Sequence, residues 1–504
     1  MLTRLQVSNF KNLVGVDIRF GAFTCVAGAN GVGKSNLFDA IRFLSSLADL
    51  PLLDAVMSMR DEGSRTSDLR TLFHKVGDRY AESMHFAAEM IIPQEGVDDL
   101  GQLAKATISF VRYELSIKYR AADALNPVGS LEITKEELRP MIIGEARKNL
   151  AFAHTPAFFK SAVVGRRSNG VPFISTKEEE GQCLIQLHQD GGSSGKPQKR
   201  RAAQLPRTII SVTNATEHPT ALLVRREMQS WQMLQMEPSA LRRPDELNAP
   251  SRLEANGAHL PATLYRLAHQ EAQRQPHARQ LPLEQIGLKA RIFSQIARRL
   301  NELIEDVRDI FIDRDDKRQV LVLKVKLKDG TELPARSLSD GTLRFLALAV
   351  IEQDAETRGL LCMEEPENGI HPARIAAMLR LLTDIACDTN YAIGPDNPLR
   401  QVIINTHAPA VVQEVTDDSL VLADTVVQQA APDQPGGAYR LLSLSCLADT
   451  WRSASGMPTL SRGKLLRYLN PVSEVEEEPT PTKSVQTPVR VIDRHDMQQL
   501  KLSF

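Results

Sequence analysis

The chain has 504 residues, 42% apolar and 24% charged, enough for roughly two to four compact units with real cores. Lys+Arg (61) and Asp+Glu (62) nearly cancel, so global charge argues neither for nor against a nucleic-acid partner and any such surface must be local. No stretch reaches the roughly 18 apolar residues that span a bilayer, Met1-Leu2-Thr3-Arg4 opens into a strand pattern rather than a signal peptide, and Cys25, Cys183, Cys362, Cys387 and Cys446 have no metal-ligand spacing, which together predict a reduced, cytoplasmic protein with no membrane partner.

In chain order, residues 2–7 and 14–27 read as strands and a helix follows from Lys34 to Leu50. Residues 84–92 and 106–119 alternate at period two and predict paired strands, while 135–160 reads as helix. Residues 188–204 form a polar, Gly/Ser-rich loop ending in Lys196, Lys199, Arg200 and Arg201, a basic patch or simply a solvated loop. Residues 222–310 read as mostly helical, with Leu288 to Phe311 a long amphipathic helix whose stripe is Ile292, Ile296, Leu300, Leu303 and Val307. A hairpin at 319–327 and 331–335 turns at Lys328-Asp329-Gly330. Then come helix 341–354, strand 359–364, helix 372–387, strand 401–405 and helix 409–416, the alternation of an α/β sheet with crossover helices. The tail 473–488 is rich in Glu, Pro, Ser and Thr and reads as a disordered linker, leaving Val489 to Phe504 as a docking tail or a frayed end.

Gly28-Ala29-Asn30-Gly31-Val32-Gly33-Lys34-Ser35 fits GxxxxGK[ST] between an apolar strand and a helix. Glycines let backbone N–H groups turn around phosphates, Lys34 reaches the β/γ oxygens, and Ser35 supplies an oxygen to Mg²⁺. The helix that begins there, with Asn36 in its first turn, points its positive end at the same phosphates. Leu360-Leu361-Cys362-Met363-Glu364-Glu365-Pro366 delivers two carboxylates at a strand's C-terminal edge, where α/β ligands bind. Glu364 would hold Mg²⁺ and Glu365 would polarise the attacking water. Ser337-Leu338-Ser339-Asp340-Gly341-Thr342, before a helix, is either an anion site or an ordinary N-cap. Gln401-Val402-Ile403-Ile404-Asn405-Thr406-His407 carries His407 to the same edge, within reach of a γ-phosphate.

In chain order the four elements resemble the Walker A, signature, Walker B and switch histidine of ABC-type ATPases, spelled as in the RecF/SMC-like and OLD-like group. Val7-Ser8-Asn9-Phe10-Lys11-Asn12-Leu13 resembles that group's opening strand, with Lys11 and Asn12 near the nucleotide. Glu364-Glu365-Pro366-Glu367-Asn368-Gly369-Ile370-His371-Pro372 resembles the Walker B and D-loop of ATPases of bacterial defence operons, and Leu253-Glu254-Ala255-Asn256-Gly257-Ala258-His259-Leu260-Pro261 resembles a segment of the same proteins. The resemblance covers about residues 1–120 and 210–425. Two departures stand out: Glu364 replaces the usual Asp, a feature shared with the defence-type relatives, and the Q-loop glutamine has only Gln94 and Gln102 as candidates by position.

The resemblance implies an α/β ABC-type head, a mixed sheet with crossover helices plus an antiparallel β-subdomain, with a largely helical insertion. Its divisions are an N-terminal lobe 1–120, an insertion 121–310 with a flexible basic loop 188–207, a C-terminal lobe 311–425, an extension 426–472 and a linker with tail 473–504. The implied cofactors are ATP and Mg²⁺, in a homo-oligomer built from ATP-sandwich dimers where Ser339, Asp340 and Gly341 meet ATP bound at Lys34 of the other copy. The 65 or so residues between His407 and the tail offer Asp417, Asp418 and Asp424 but no Glu/Asp-x-Asp set of a TOPRIM nuclease, and no HNH-like His cluster occurs. Any cutting then falls to a separate effector (an HNH or TOPRIM-like nuclease, or a toxin), the arrangement of the ATPase subunits of the Septu (PtuA) and PARIS (AriA) anti-phage systems, and nucleic acid or a phage protein is a further candidate partner. The alternatives are a RecF-like ATPase acting directly on DNA in repair or recombination and, weakest, the motor of a transporter.

Overall fold

The computed structural model describes residues 1–59, 68–122, 129–165, 170–190, 196–274, 291–304, 306–429 and 438–469. The glycine-rich stretch 191–195 and the tail 473–504 lie outside these residues.

The apolar runs read as strands come together from both ends of the chain. A six-stranded sheet has the order Gln232–Leu234, Gly359–Glu364, Arg400–Thr406, Phe23–Ala27, Leu420–Gln429, Ala438–Ser445. All neighbours in it are parallel except the last pair. Strands of a parallel sheet are covered on both faces, which is why Leu360-Leu361-Cys362 and Val402-Ile403-Ile404 read as continuous apolar runs and are fully buried. In register, Glu364 faces Asn405 and Asn405 faces Val26, so the carboxylate strand, the histidine strand and the phosphate-loop strand end at one edge.

An eight-stranded antiparallel sheet packs beside it, in the order Gln198–Arg201, Gln182–Leu187, Ile174–Glu179, Ser130–Pro140, Phe110–Arg120, Ser83–Ile91, Leu2–Ser8, Val16–Arg19. The helix Lys34–Leu47 lies between the sheets and buries Leu37, Phe38, Ile41 and Leu44. Phe43 on that helix sits 5.8 Å from Phe10 and 5.7 Å from Phe86, joining the opening strand, the phosphate-loop helix and the antiparallel sheet in one aromatic cluster. A smaller sheet of Asp245–Glu246, Val320–Leu327, Val307–Asp315 and Glu332–Pro334 carries the predicted hairpin and packs on the helices Leu260–Arg274 and Arg291–Asn301.

Several local readings change. The stretch 135–160 begins as strand: Ser130–Pro140 pairs with Phe110–Arg120, and helices follow only at Ile143–Asn149 and Pro156–Ala162. Lys135-Glu136-Glu137-Leu138 has helical propensity, but cross-strand partners override it, with Lys135 pairing to Glu114 at 2.6 Å and Leu138 fully buried. Of the helix placed from Leu288 to Phe311, Arg291–Asn301 is helical and buries Ile292, Ile296 and Leu300. Val307 already belongs to a strand, and Asn301 Nδ2 donates to its carbonyl, closing the helix. The basic loop contains an edge strand, Gln198–Arg201, and its Lys199 pairs with Glu179 at 2.7 Å. The boundary drawn at 120 falls between two strands that pair with each other, and that drawn at 425 falls inside Leu420–Gln429.

Among the described residues no helix is long and apolar enough to cross a membrane. All five cysteines are unpaired, and burial pushes the Cys25, Cys362 and Cys387 thiols up.

Candidate functional site

The phosphate loop leaves the strand Phe23–Ala27 and turns into the helix Lys34–Leu47. Gly33 caps that helix at φ 107°, a conformation closed to side-chain residues, and a Cβ there would fall 2.1 Å from Asn12 Nδ2. Gly28 has a different reason to be glycine: its Cβ would lie 2.4 Å from the Ala423 carbonyl on the neighbouring strand. Lys34 is buried and its Nζ donates to the Gly28 and Ala29 carbonyls at 2.6 and 2.9 Å. Burial lowers its pKa, against the pull of Glu365, Glu364 and Glu367. Those three carboxylates therefore belong to the same electrostatic site as the loop lysine. Asn30, Gly31 and Ser35 are exposed.

Lys11 and Asn12 sit beside this loop. Asn12 Nδ2 donates to the Val32 carbonyl at 3.0 Å, and Asn36 Nδ2 donates to Asn12 Oδ1 at 2.8 Å. Lys11 pairs with Asp39 one turn further along the helix. Asn12 and Asn36 thus brace the loop, and Lys11 is tied to the helix that follows it.

Glu364 ends the strand Gly359–Glu364 and is exposed. Glu365 follows at φ 47°, left-handed backbone that costs a non-glycine residue of order 1–2 kcal/mol and that clusters at functional sites. Its N–H donates to the Asn405 backbone carbonyl at 3.0 Å, which holds the conformation. Its carboxylate lies 2.6 Å from His407 Nδ1, and His407 is about half exposed. Behind this pair Glu367 is buried and accepts from the Thr406 hydroxyl. Burial pushes the Glu367 carboxyl up to about 7, with the Glu365 carboxylate adding to the shift and Thr406 opposing it. Glu365, Glu367 and His407 can bring ligand atoms within 4.8 Å of one another. The hydroxyl of Ser35 with the carboxylate of Glu364 is a hard-oxygen set of the kind Mg²⁺ prefers when phosphates complete its shell. That chemistry fits the metal implied by the sequence.

The signature turn belongs to a second cluster. Ser339 caps the helix Asp340–Gln353, its Oγ accepting from Thr342 N at 3.2 Å. Asp340 pairs with Arg242, and a Cβ on Gly341 would fall 2.1 Å from the Gly369 carbonyl. The turn thus packs on the segment after the carboxylates. There His371 caps a short 3₁₀ turn through Ala373 N.

Asn405, Thr406 and Glu367 lie inside the sequence motifs but take their part in the site from the fold, and Tyr468 lies outside every motif. Burial pushes the Tyr468 hydroxyl up to about 12, with Cys25 and Glu365 adding to the shift. The helix Arg462–Leu469 packs Leu465, Tyr468 and Leu469 on the core cluster that contains Cys25 and Ala27 of the strand leading to the phosphate loop. Neither Q-loop candidate joins this cluster: Gln94 donates to the Ser161 carbonyl and Gln102 accepts from Thr216.

Residues 23–87 and 228–413 match a family model described as "AAA domain, putative AbiEii toxin, Type IV TA system". The DNA replication and repair protein RecF of Bacteroides thetaiotaomicron is 50% identical over 46 residues, 9% of this chain and 12% of that protein. RecF of Porphyromonas gingivalis is 44% identical over 46 residues, 9% of this chain and 13% of that protein. The chain thus matches about an eighth of the length of these relatives. Among solved structures, an Smc head bound to the C-terminal winged-helix domain of ScpA covers 88% of this chain and 97% of its own at 12% identity and TM-score 0.42. The SMC head domain of Thermotoga maritima covers 88% and 98% at 11% identity and TM-score 0.36. The parallel sheet with its phosphate loop, the carboxylate and histidine strands beside it, and the antiparallel sheet packed on the loop helix make the fold that of an ABC-type ATPase head.

Proposed function

We propose that this chain, an ABC-type ATPase of the RecF/SMC-like class, binds ATP-Mg²⁺ between two copies of itself and hydrolyses it as the switch of a bacterial anti-phage complex that controls a separate effector nuclease or toxin. The observation that carries the hydrolytic reading is the Glu365–His407 pair, 2.6 Å apart at the strand edge beside Lys34. Glu365 takes the proton of the attacking water, and His407 holds that carboxylate in place through Nδ1, while its Nε2, when it carries a proton, donates to a γ-phosphate oxygen. Lys34 and the loop N–H groups neutralise the phosphates. Ser35 and Glu364 would hold Mg²⁺, which when bound offsets charge on the phosphates. Ser339 and Gly341 act on the nucleotide held by the second copy.

The defence reading is favoured by the family description, which names an AbiEii-type toxin system, over residues that include both the phosphate loop and the carboxylates. The local RecF likeness favours a second reading, an ATPase acting directly on DNA in repair or recombination. Two experiments separate them. Native pull-down of the tagged chain followed by mass spectrometry should recover a nuclease or toxin. Salt-sensitive, ATP-dependent binding of the purified chain alone to DNA junctions would instead favour repair.

A further inference from the structure

Leu253–Pro261 is the one motif to which the ATP site gives no task. In the structure it brackets the segment that leaves the carboxylate sheet. Strand Gln232–Leu234 runs parallel to Gly359–Glu364, and the chain beyond it is held by Gln235 N donating to Ala255 O at 2.9 Å and Glu237 N to Asn256 O at 2.7 Å. Gly257, at φ 89°, lets the bracket close on Leu241, since a Cβ there would fall 2.6 Å from Leu241 Cδ2. His259 stands between Asp245 and Glu254 at 3.3 and 3.4 Å and fixes the bracket's far end. Leu241 itself is fully buried, so the next residue, Arg242, has its backbone fixed.

Arg242 reaches the signature turn. Its Nη2 donates to the Leu338 carbonyl at 3.0 Å and pairs with Asp340. Without it, the Asp340 carboxylate would stand uncompensated beside a triphosphate. Arg344, one turn into the signature helix, spans the other way: Nη1 donates to the Asn368 carbonyl at 2.9 Å and Nε to the Met236 carbonyl at 3.3 Å. Between the two arginines the backbones of Gly341 and Gly369 touch, with no room for a side chain on Gly341. Three pieces of chain far apart in sequence are thereby pinned: the bracketed segment, the signature turn and the Asn368–Gly369 turn.

We propose that Arg242 and Arg344 are positioning residues that lock the signature turn to the Asn368–Gly369 turn as one rigid unit, which the motif Leu253–Pro261 anchors to the carboxylate strand, and which one copy presents to the nucleotide of the other. This rests on the shared-site reading above. It makes a distinctive demand: the arginines serve the partner's nucleotide and leave nucleotide binding by their own copy untouched.

The test uses the full chain with Arg242→Ala, Arg344→Ala, Arg242→Lys, Lys34→Ala and Ser339→Arg. Binding of a fluorescent ATP analogue is measured on the isolated chain, and turnover and ATP-dependent dimerisation are measured separately. Both alanine variants should bind the analogue within about twofold of wild type, yet lose about tenfold or more in kcat and in dimerisation, as Ser339→Arg does. Arg242→Lys keeps a charge opposite Asp340 but loses the rigid planar guanidinium that sets Nη2 against both Asp340 and the Leu338 carbonyl, so it should recover part of the loss. Mixing either alanine variant with Lys34→Ala should restore as much turnover as mixing Ser339→Arg with Lys34→Ala, because one intact shared site is rebuilt. Weakened analogue binding, wild-type turnover, or no restoration where the Ser339→Arg mixture restores would overturn the proposal. If Ser339→Arg itself turns over ATP and dimerises normally, the shared site falls instead, a separate result.

Discussion

Glu365→Gln isolates the chemistry from the architecture. Glutamine has nearly the same volume, and the bonds that hold residue 365 at φ 47° come from its backbone N–H to Asn405, so the strand edge should keep its shape. What disappears is the anionic carboxylate, one oxygen of which lies 2.6 Å from His407, that on the proposed mechanism accepts the water's proton. Removing a positioned general base costs about 10²–10⁴ in rate, equivalent to about 3–5 kcal/mol of transition-state stabilisation. The same change removes one of the negative charges acting on Lys34 and so favours retention of a triphosphate. The expected outcome is turnover reduced about 10²–10⁴-fold, read by phosphate release. A long-lived ATP-dependent dimer should appear in light scattering coupled to size exclusion. Lys34→Ala should instead fail to bind nucleotide at all. Wild-type hydrolysis by Glu365→Gln would refute the assignment of the base and with it the mechanism.

Gly341→Ala forces a Cβ within 2.1 Å of the Gly369 carbonyl, where neither backbone can yield, so ATP-dependent dimerisation should be lost while analogue binding by the isolated chain survives; equal loss of both would be inconsistent with that geometry. Glu136 is fully buried and accepts only, from Ile209 N at 2.7 Å, Ile210 N at 2.9 Å and Tyr113 Oη at 3.2 Å. Glu136→Gln turns an amide N–H₂ toward a donor and should destabilise the chain by about 1–3 kcal/mol, seen as a lower melting temperature without change in nucleotide affinity. Glu367 has a folded-state value of about 7 against an ordinary 4.5, so the folded form holds the proton more tightly. Its contribution to stability is complete below the ordinary value and lost as pH rises through about 7. Nucleotide-free melting curves should decline over that window, and Glu367→Gln should flatten the decline.

Legibility followed the range of the interactions involved. The phosphate loop is local: one strand, one glycine turn and one helix within about 25 residues, each dictated by its own sequence. The strands carrying Glu364 and His407 are buried on both faces, so their apolar runs announce them without knowledge of a neighbour. The strand Ser130–Pro140 is the opposite case. Its buried or paired charges are satisfied by partners from elsewhere in the chain, Lys135 by Glu114 across the sheet and Glu136 by the Ile209 and Ile210 N–H groups, and periodicity cannot see them. Val307 shows the same limit at a boundary, where apolar spacing continues smoothly from a helix into a strand and only the Asn301 cap ends the helix. Glu367 was invisible as a separate actor because its character comes from burial against Thr406 and Glu365 rather than from its spelling. The task of Leu253–Pro261 required knowing that it lies against Gln235 and Glu237 and, through them, beside the signature turn.

Assembly of the site before nucleotide arrives depends on a join between the opening strand and the histidine strand, and Gln401 makes that join. It is fully buried, and its Nε2 donates to the Leu2 carbonyl at 2.7 Å and the Gly21 carbonyl at 2.8 Å while its Oε1 accepts from Leu2 N at 2.8 Å. One side chain on the histidine strand thus satisfies both backbone groups of Leu2 in the opening strand and the Gly21 carbonyl just before the strand that leads to the phosphate loop. Gln401→Leu keeps the volume but strands all three groups away from water, at about 1–3 kcal/mol each before relaxation. The loss of stability should reach about 3 kcal/mol or more, and it should fall on both halves of the site together, since Phe23–Ala27 and Arg400–Thr406 are paired neighbours in the sheet. Thermal melting should drop by several degrees, and both analogue binding and turnover should decline in parallel with the folded fraction. A variant that melts like wild type but has lost turnover would mean that Gln401 acts on the chemistry rather than on the join, and would refute this account of how the two strands are held.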